Sequence, residues 1–210
     1  MWPVEEPMRL GFLASHGGSN MRAIIAACLD GRLQASPSLI ISNNRECGAL
    51  QWAEAKALPF AHLSARTHPD AAELDQAIAE ALAAAQVNLV VLAGYMKLLG
   101  PVTLDRYHAR ILNIHPALLP KHGGKGMYGR RVHEAVLAAG ERVTGVTVHM
   151  VDEFYDHGSI LAQQDVPVAE DDDAERLAQR VLAAEHDIYW RTIEQIRIGA
   201  IDLDAAMRPS

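Results

Sequence analysis

Leu89-Val90-Val91-Leu92-Ala93 is apolar at every position, with no trace of the alternation that marks a strand with one wet face. Such a run fits a strand covered on both sides. Parallel strands are covered that way, because their crossover helices pack on the two faces of the sheet. A chain built on this strand needs helices above and below it, and its remaining segments can be read against that demand.

The segments supply them. Residues 10–14 form a short apolar strand, followed by the Gly-rich turn Ser15-His16-Gly17-Gly18-Ser19-Asn20 and a helical stretch over 21–29, with Ser19 or Asn20 expected as its N-cap. A second strand is read at 39–43, a helix at 48–57 and a short strand at 60–63. Residues 70–85 form an amphipathic helix in which Leu74, Ile78 and Leu82 recur every fourth position. Strands alternating with helices in this way predict a doubly wound α/β sheet. In such a sheet, ligands sit outside the carboxyl ends of the strands. That rule aligns Ser15 to Asn20, Gly94 to Leu99 and Asn113 to His115 along one edge. The C-terminal third departs from the alternation. Residues 144–150 and 160–168 are strands joined by a loop without a long helix, so they are expected to be antiparallel. A long helix over 174–198 carries Leu177, Val181, Ala184 and Ile188 inward, and residues 202–210, like 1–8, are expected to be flexible tails around a single domain.

Two candidate sites follow from the residues alone. Ile111-Leu112-Asn113-Ile114-His115 reads as a short strand stopped by Pro116. Residues two apart share a face, so Asn113 and His115 project together. An amide and an imidazole side by side can both donate to one developing negative oxygen, and the imidazole can also move a proton. The strand, Gly-rich turn and helix start around Gly18, Ser19 and Asn20 aim backbone N–H groups and a helix dipole toward an anion. That turn matches neither the GxGxxG dinucleotide fingerprint nor the GxxxxGK[ST] loop. Lys121 to Gly129 is a glycine-rich loop.

Composition narrows the partners. The 210 residues carry a formal net charge of −7 with both signs interspersed, which disfavours a nucleic-acid partner. Cys28 and Cys47 have no CxxC spacing, and the histidines form no metal-ligand pattern, so no metal is expected. No apolar stretch reaches bilayer-spanning length and the first residues lack a signal-peptide core, so a cytoplasmic protein without a membrane partner is expected.

Several motifs then occur in a fixed order: Ser15-x-x-Gly18-Ser19-Asn20, Ala93-Gly94-Tyr95-Met96, Asn113-Ile114-His115-Pro116-x-Leu118-Leu119-Pro120, Gly145-x-Thr147-Val148-His149, Asp156-x-Gly158 and Ala184-Glu185-His186-x-Ile188-Tyr189. Together they resemble the phosphoribosylglycinamide formyltransferase family, over residues 10–189. The resemblance implies a Rossmann-like formyltransferase fold: a mostly parallel sheet, helices on both faces and an antiparallel C-terminal strand pair. It implies transfer of the formyl group of 10-formyltetrahydrofolate to the amine of phosphoribosylglycinamide in purine synthesis, by a monomer or homodimer. Asn113 and a protonated His115 would bind the oxyanion, and Asp156 would pair with His115 and help a water relay protons. Gly18, Ser19 and Asn20 would hold the substrate phosphate, and Glu185 its ribose or amine. Met96, Lys97, Leu98, Leu99 and Asn113 would contact the folate, with residues 151–156 framing the pterin. The chain departs from the family's usual pattern at His16, where Gly is common, at Ala117, where Ser is common, and at Leu182, where a polar side chain is usual. Two alternatives share parts of this pattern: a formyltransferase acting on an amino-sugar nucleotide, and a non-catalytic phosphate- or folate-binding module.

Overall fold

The structure is a computed structural model that describes residues 7–206. One seven-stranded sheet organises it. The strands are β1 (Met8–Ala14), β2 (Ala35–Ser42), β3 (Phe60–His62), β4 (Leu89–Leu92), β5 (Ile111–His115), β6 (Val143–Met150) and β7 (Ile160–Pro167). Their spatial order is β3-β2-β1-β4-β5-β6-β7. The five strands from β3 to β5 are parallel, while β5–β6 and β6–β7 are antiparallel. The expected antiparallel pair therefore extends back to β5, the strand that carries Asn113 and His115.

The helices are α1 (Ser19–Leu29), α2 (Gly48–Ala55), α3 (Ala71–Ala84), α4 (Pro101–Arg106), α5 (Arg130–Ala138), α6 (Ala174–Arg197) and α7 (Leu203–Ala206). They divide the core into two. On one face, Phe12, Val91, Leu112 and Ile114 pack with Ile24, Val181 and Tyr189; on the other, Leu13, Val90, Leu92 and Ile111 pack with Ile78 and Leu82. β4 contributes to both, as an all-apolar strand must. Along β5 the alternation puts Leu112 and Ile114 on the α1/α6 side and Ile111, Asn113 and His115 on the other. That second face is apolar at Ile111 and turns polar toward the carboxyl end, where the site begins.

Two buried polar contacts hold this frame. Asp75 of α3 accepts from the backbone N–H groups of Val102 (2.7 Å) and Thr103 (3.1 Å) and from the Thr103 hydroxyl (2.6 Å), capping α4 from a neighbouring helix. The Tyr189 hydroxyl on α6 lies 3.0 Å from both the Leu92 and the Leu112 carbonyls, and shares its one proton between them. It fastens α6 to the adjacent strands β4 and β5.

Three local expectations are corrected. The N-cap of α1 is Gly18 and neither Ser19 nor Asn20: Gly18 takes the left-handed conformation (φ 65°) and no side chain caps the helix. A glycine enters that region without the Cβ penalty, which leaves the Asn20 side chain free for another partner. Residues 202–206 are not a loose tail, since Leu203 of α7 is buried in the core and Asp204 pairs with Arg110 at 2.8 Å. Met8, placed with the N-terminal tail, opens β1 and is buried; residues 1–6 and 207–210 of the expected tails lie outside the described residues.

Candidate active site

The carboxyl ends of β1, β4 and β5 open into one cleft of about 970 Å³. Asn113 and His115 reach it from β5, Met96 and Lys97 from the loop after β4, and Asn20 and Glu185 from α1 and α6. Ser15 knits the loops at this edge. Its hydroxyl donates to Asn43 Oδ1 at 2.7 Å and accepts the Met96 N–H at 2.8 Å, while its own N–H donates to the Gly94 carbonyl at 3.0 Å.

His115 is 3% exposed and lies between two acceptors. Its Nε2 donates to the His122 carbonyl at 2.8 Å, and its Nδ1 is 3.5 Å from Asp156 Oδ2. The Asp156 carboxylate also accepts the Gly124 N–H at 3.0 Å on Oδ2 and faces His149 Nε2 at 3.6 Å on Oδ1. Asp156 sits at φ 54°, a left-handed conformation that Asp tolerates better than most residues. Downstream of β5, the Thr147 hydroxyl donates to the Ala117 carbonyl (2.7 Å) and accepts the Leu119 N–H (3.0 Å), so β6 fixes the turn that follows His115.

Burial is the largest influence on His115 and disfavours the charged ring. Asp156 and the His122 carbonyl pull the other way and do not compensate, so the pKa lies below the ordinary histidine value. Burial by itself would raise the Asp156 pKa. The neighbouring His149 ring, the charge of a protonated His115 and the Gly124 N–H together outweigh it, and the carboxyl stays ionised below its usual range. Glu185 is 8% exposed, and burial pushes its pKa up to about 7 although Asn20 Nδ2 donates to it at 2.7 Å. The other end of that amide, Asn20 Oδ1, is buried with no partner.

Of the residues read from sequence, the cleft brings together Asn113, His115, Asp156, Asn20, Glu185, Met96 and Lys97. Gly18 and Ser19 do not line it; they form the α1 start beside Asn20. Leu98 and Leu99 line an adjoining cleft of about 530 Å³, which shares Tyr95 and Lys97 with the first. Sequence reading missed the cations Lys125, Arg130 and Arg131, which reach the main cleft from the glycine-rich loop and the start of α5. It also assigned nothing to His149, whose Nε2 is 3.1 Å from Asn113 Nδ2. The available signal was the β-branched alternation of β6, which puts Thr147 and His149 on one face, opposite His115 and Asn113.

The chain is similar to known proteins over most of its length. The formyl transferase family matches residues 8–193. A chloroplastic phosphoribosylglycinamide formyltransferase of Arabidopsis thaliana is 41% identical over 194 residues, which is 91% of this chain and 66% of the plant protein. The chain thus spans just under two thirds of that relative's length. The phosphoribosylglycinamide formyltransferase of Haemophilus influenzae is 36% identical over 93% of this chain and 90% of its own. Among solved structures, glycinamide ribonucleotide transformylase 1 from Symbiobacterium toebii superposes with a TM-score of 0.86 at 37% identity, covering 92% of this chain and 89% of that one.

Proposed function

This chain belongs to the formyl transferase family, grouping with the phosphoribosylglycinamide formyltransferases, and on that premise we propose that it transfers the formyl group of 10-formyltetrahydrofolate to the amine of 5′-phosphoribosylglycinamide, in purine biosynthesis. The observation that carries this reading is the convergence of Asn113, His115 and Asp156 in one cleft, with both His115 ring nitrogens directed at acceptors.

The amine nitrogen forms a bond to the formyl carbon, and the carbonyl becomes an oxyanion. The bond from that carbon to N10 of the folate then breaks, and the proton lost by the amine ends on N10. Asn113 donates to the oxyanion, and the His115 ring, whose nitrogens face the His122 carbonyl and Asp156, adds positive charge beside it when it takes up a proton. Donors held in place before the reaction stabilise that charge without reorganising. An imidazole can take up and release a proton, and the ionised Asp156 beside it favours the imidazolium whenever a proton arrives. A water held at Asp156 carries the proton from amine to N10.

The acceptor's phosphate is assigned to the start of α1 at Gly18, Ser19 and Asn20, where first-turn N–H groups have no acceptor within the helix. Lys125, Arg130 and Arg131 bring positive charge to the cleft that Asn20 lines, which suits an anionic substrate. Glu185, held by Asn20, is assigned to the ribose or amine. Met96 and Lys97, with Leu98 and Leu99 in the adjoining cleft, are assigned to the folate, beside Asn113 and the 151–156 loop. The reading carries small-molecule partners, no metal and a cytoplasmic location. No helix among the described residues is long and apolar enough to cross a membrane.

The test is a steady-state assay of the purified chain with both substrates. Turnover that requires phosphoribosylglycinamide is expected. Release of formate from the folate without an acceptor, or transfer only to an amino-sugar nucleotide, overturns the reading.

A further inference from the structure

We infer that His149 is a positioning residue that fixes which end of the Asn113 amide faces the cleft; the inference rests on the formyl-transfer reading and deepens it. Asn113 and His149 are direct partners in the β5–β6 ladder, and His149 is 2% exposed. Its Nδ1 lies 2.7 Å from the Met150 carbonyl. A carbonyl can only accept, so Nδ1 carries the proton. In the neutral ring Nε2 is then a lone pair, and it lies 3.1 Å from Asn113 Nδ2. A nitrogen facing a lone pair must donate. One of the two Nδ2 hydrogens is therefore held by His149, and the other remains for a substrate oxygen.

The consequence concerns a choice that the Asn side chain cannot make alone. The two ends of a carboxamide have nearly the same shape, and a half-turn about its last torsion exchanges donor for acceptor. With the wrong end forward, the Asn113 carbonyl oxygen would meet the developing oxyanion and repel it. His149 removes that state by accepting from the nitrogen end. Gly158 guards the arrangement one step further out. A Cβ at that position would overlap the Met150 carbonyl, the same group that fixes the proton on His149 Nδ1.

A double-mutant cycle tests the assignment. His149→Phe keeps a ring of similar size and removes both nitrogens, while His149→Gln offers a side-chain oxygen to the Asn113 amide. In the otherwise wild-type chain, His149→Phe is expected to lower kcat roughly 10- to 100-fold with both KM values within about twofold, and in the Asn113→Ala background it is expected to lower kcat less than about threefold. His149→Gln is expected to recover most of the loss. Equal losses in the two backgrounds, or a Gln variant as poor as the Phe variant, overturn the inference. A readout independent of turnover keeps it distinct from the functional reading. In 15N spectra of the resting wild-type protein, with the His149 signals identified by their loss in His149→Gln, the ring is expected neutral and protonated on Nδ1. An Nε2–H tautomer or an imidazolium overturns the inference. Wild-type protein with the expected tautomer but no turnover would overturn the formyl-transfer reading instead.

Discussion

Asn20 on α1 and Glu185 on α6 meet through a buried hydrogen bond of 2.7 Å, across 165 residues of sequence. The bond ties the start of α1 to the middle of α6 and leaves a carboxyl group in a nearly dry site. Burial raises the Glu185 pKa from 4.5 to about 7, so between these values the folded chain holds a proton that the unfolded chain has lost. Stability is then greatest below pH 4.5 as far as this group is concerned, falls as pH rises to about 7, and is level above it. The difference across that window is about 3 kcal/mol. Glu185→Gln is expected to remove this slope, and to be more stable than the wild type at pH 8 by an amount approaching it. Denaturant midpoints measured at several pH values check this; parallel pH curves for the two proteins would contradict it.

The carboxylate of Asp156 supports His115 from 3.5 Å. Asp156→Asn keeps an acceptor for the Gly124 N–H and removes the charge. With burial no longer opposed by that charge, the His115 pKa is expected to fall further below its already lowered position. kcat is expected to drop by about two orders of magnitude, the scale of a lost proton-transfer partner. Histidine NMR titration reads the first effect and steady-state kinetics the second. An unchanged or raised His115 pKa would show that the pair does not communicate.

The Asp75 cap holds α4 at the edge of the adjoining cleft. Asp75→Ala strands two N–H groups and one hydroxyl in a buried setting. The expected cost is about 2 kcal/mol, with a fall in Tm of roughly 4–8 °C. Thermal unfolding checks it, and a Tm within 1–2 °C of wild type (about the shift of a few tenths of a kcal/mol) would mean that α4 rearranges to satisfy these groups.

The large features of the fold are legible in the sequence because they follow from pattern. An unbroken apolar run forced β4 into the middle of the sheet, the period-four apolar stripe marked α3, and period-two alternation set Asn113 beside His115. Features that depend on a single residue's surroundings are harder to read. α7 spans four residues and is held by Leu203 and Asp204, too few to make a period. The α1 cap is a backbone conformation of Gly18, where side-chain chemistry pointed to Ser19 or Asn20. The charge state of His115 turns on the balance between burial and Asp156, and a sequence shows the carboxylate without the depth. Lys125, Arg130 and Arg131 are exposed residues on a loop and a helix start, where cations are ordinary until the fold turns them toward a cleft. His149 was visible in a motif, but its role depends on which ring nitrogen faces which neighbour.

The assignment of Asn113 and His115 as the groups that stabilise the oxyanion is tested most directly by comparing kcat for formyl transfer in the wild type, Asn113→Ala and His115→Ala, with folate affinity measured separately by equilibrium binding. Losses of about 10²- to 10³-fold in kcat, with folate affinity changed less than about fivefold, are expected for groups that act on the transition state. Variants that transfer formyl within about threefold of the wild-type rate would contradict the assignment and place the chemistry elsewhere in the cleft.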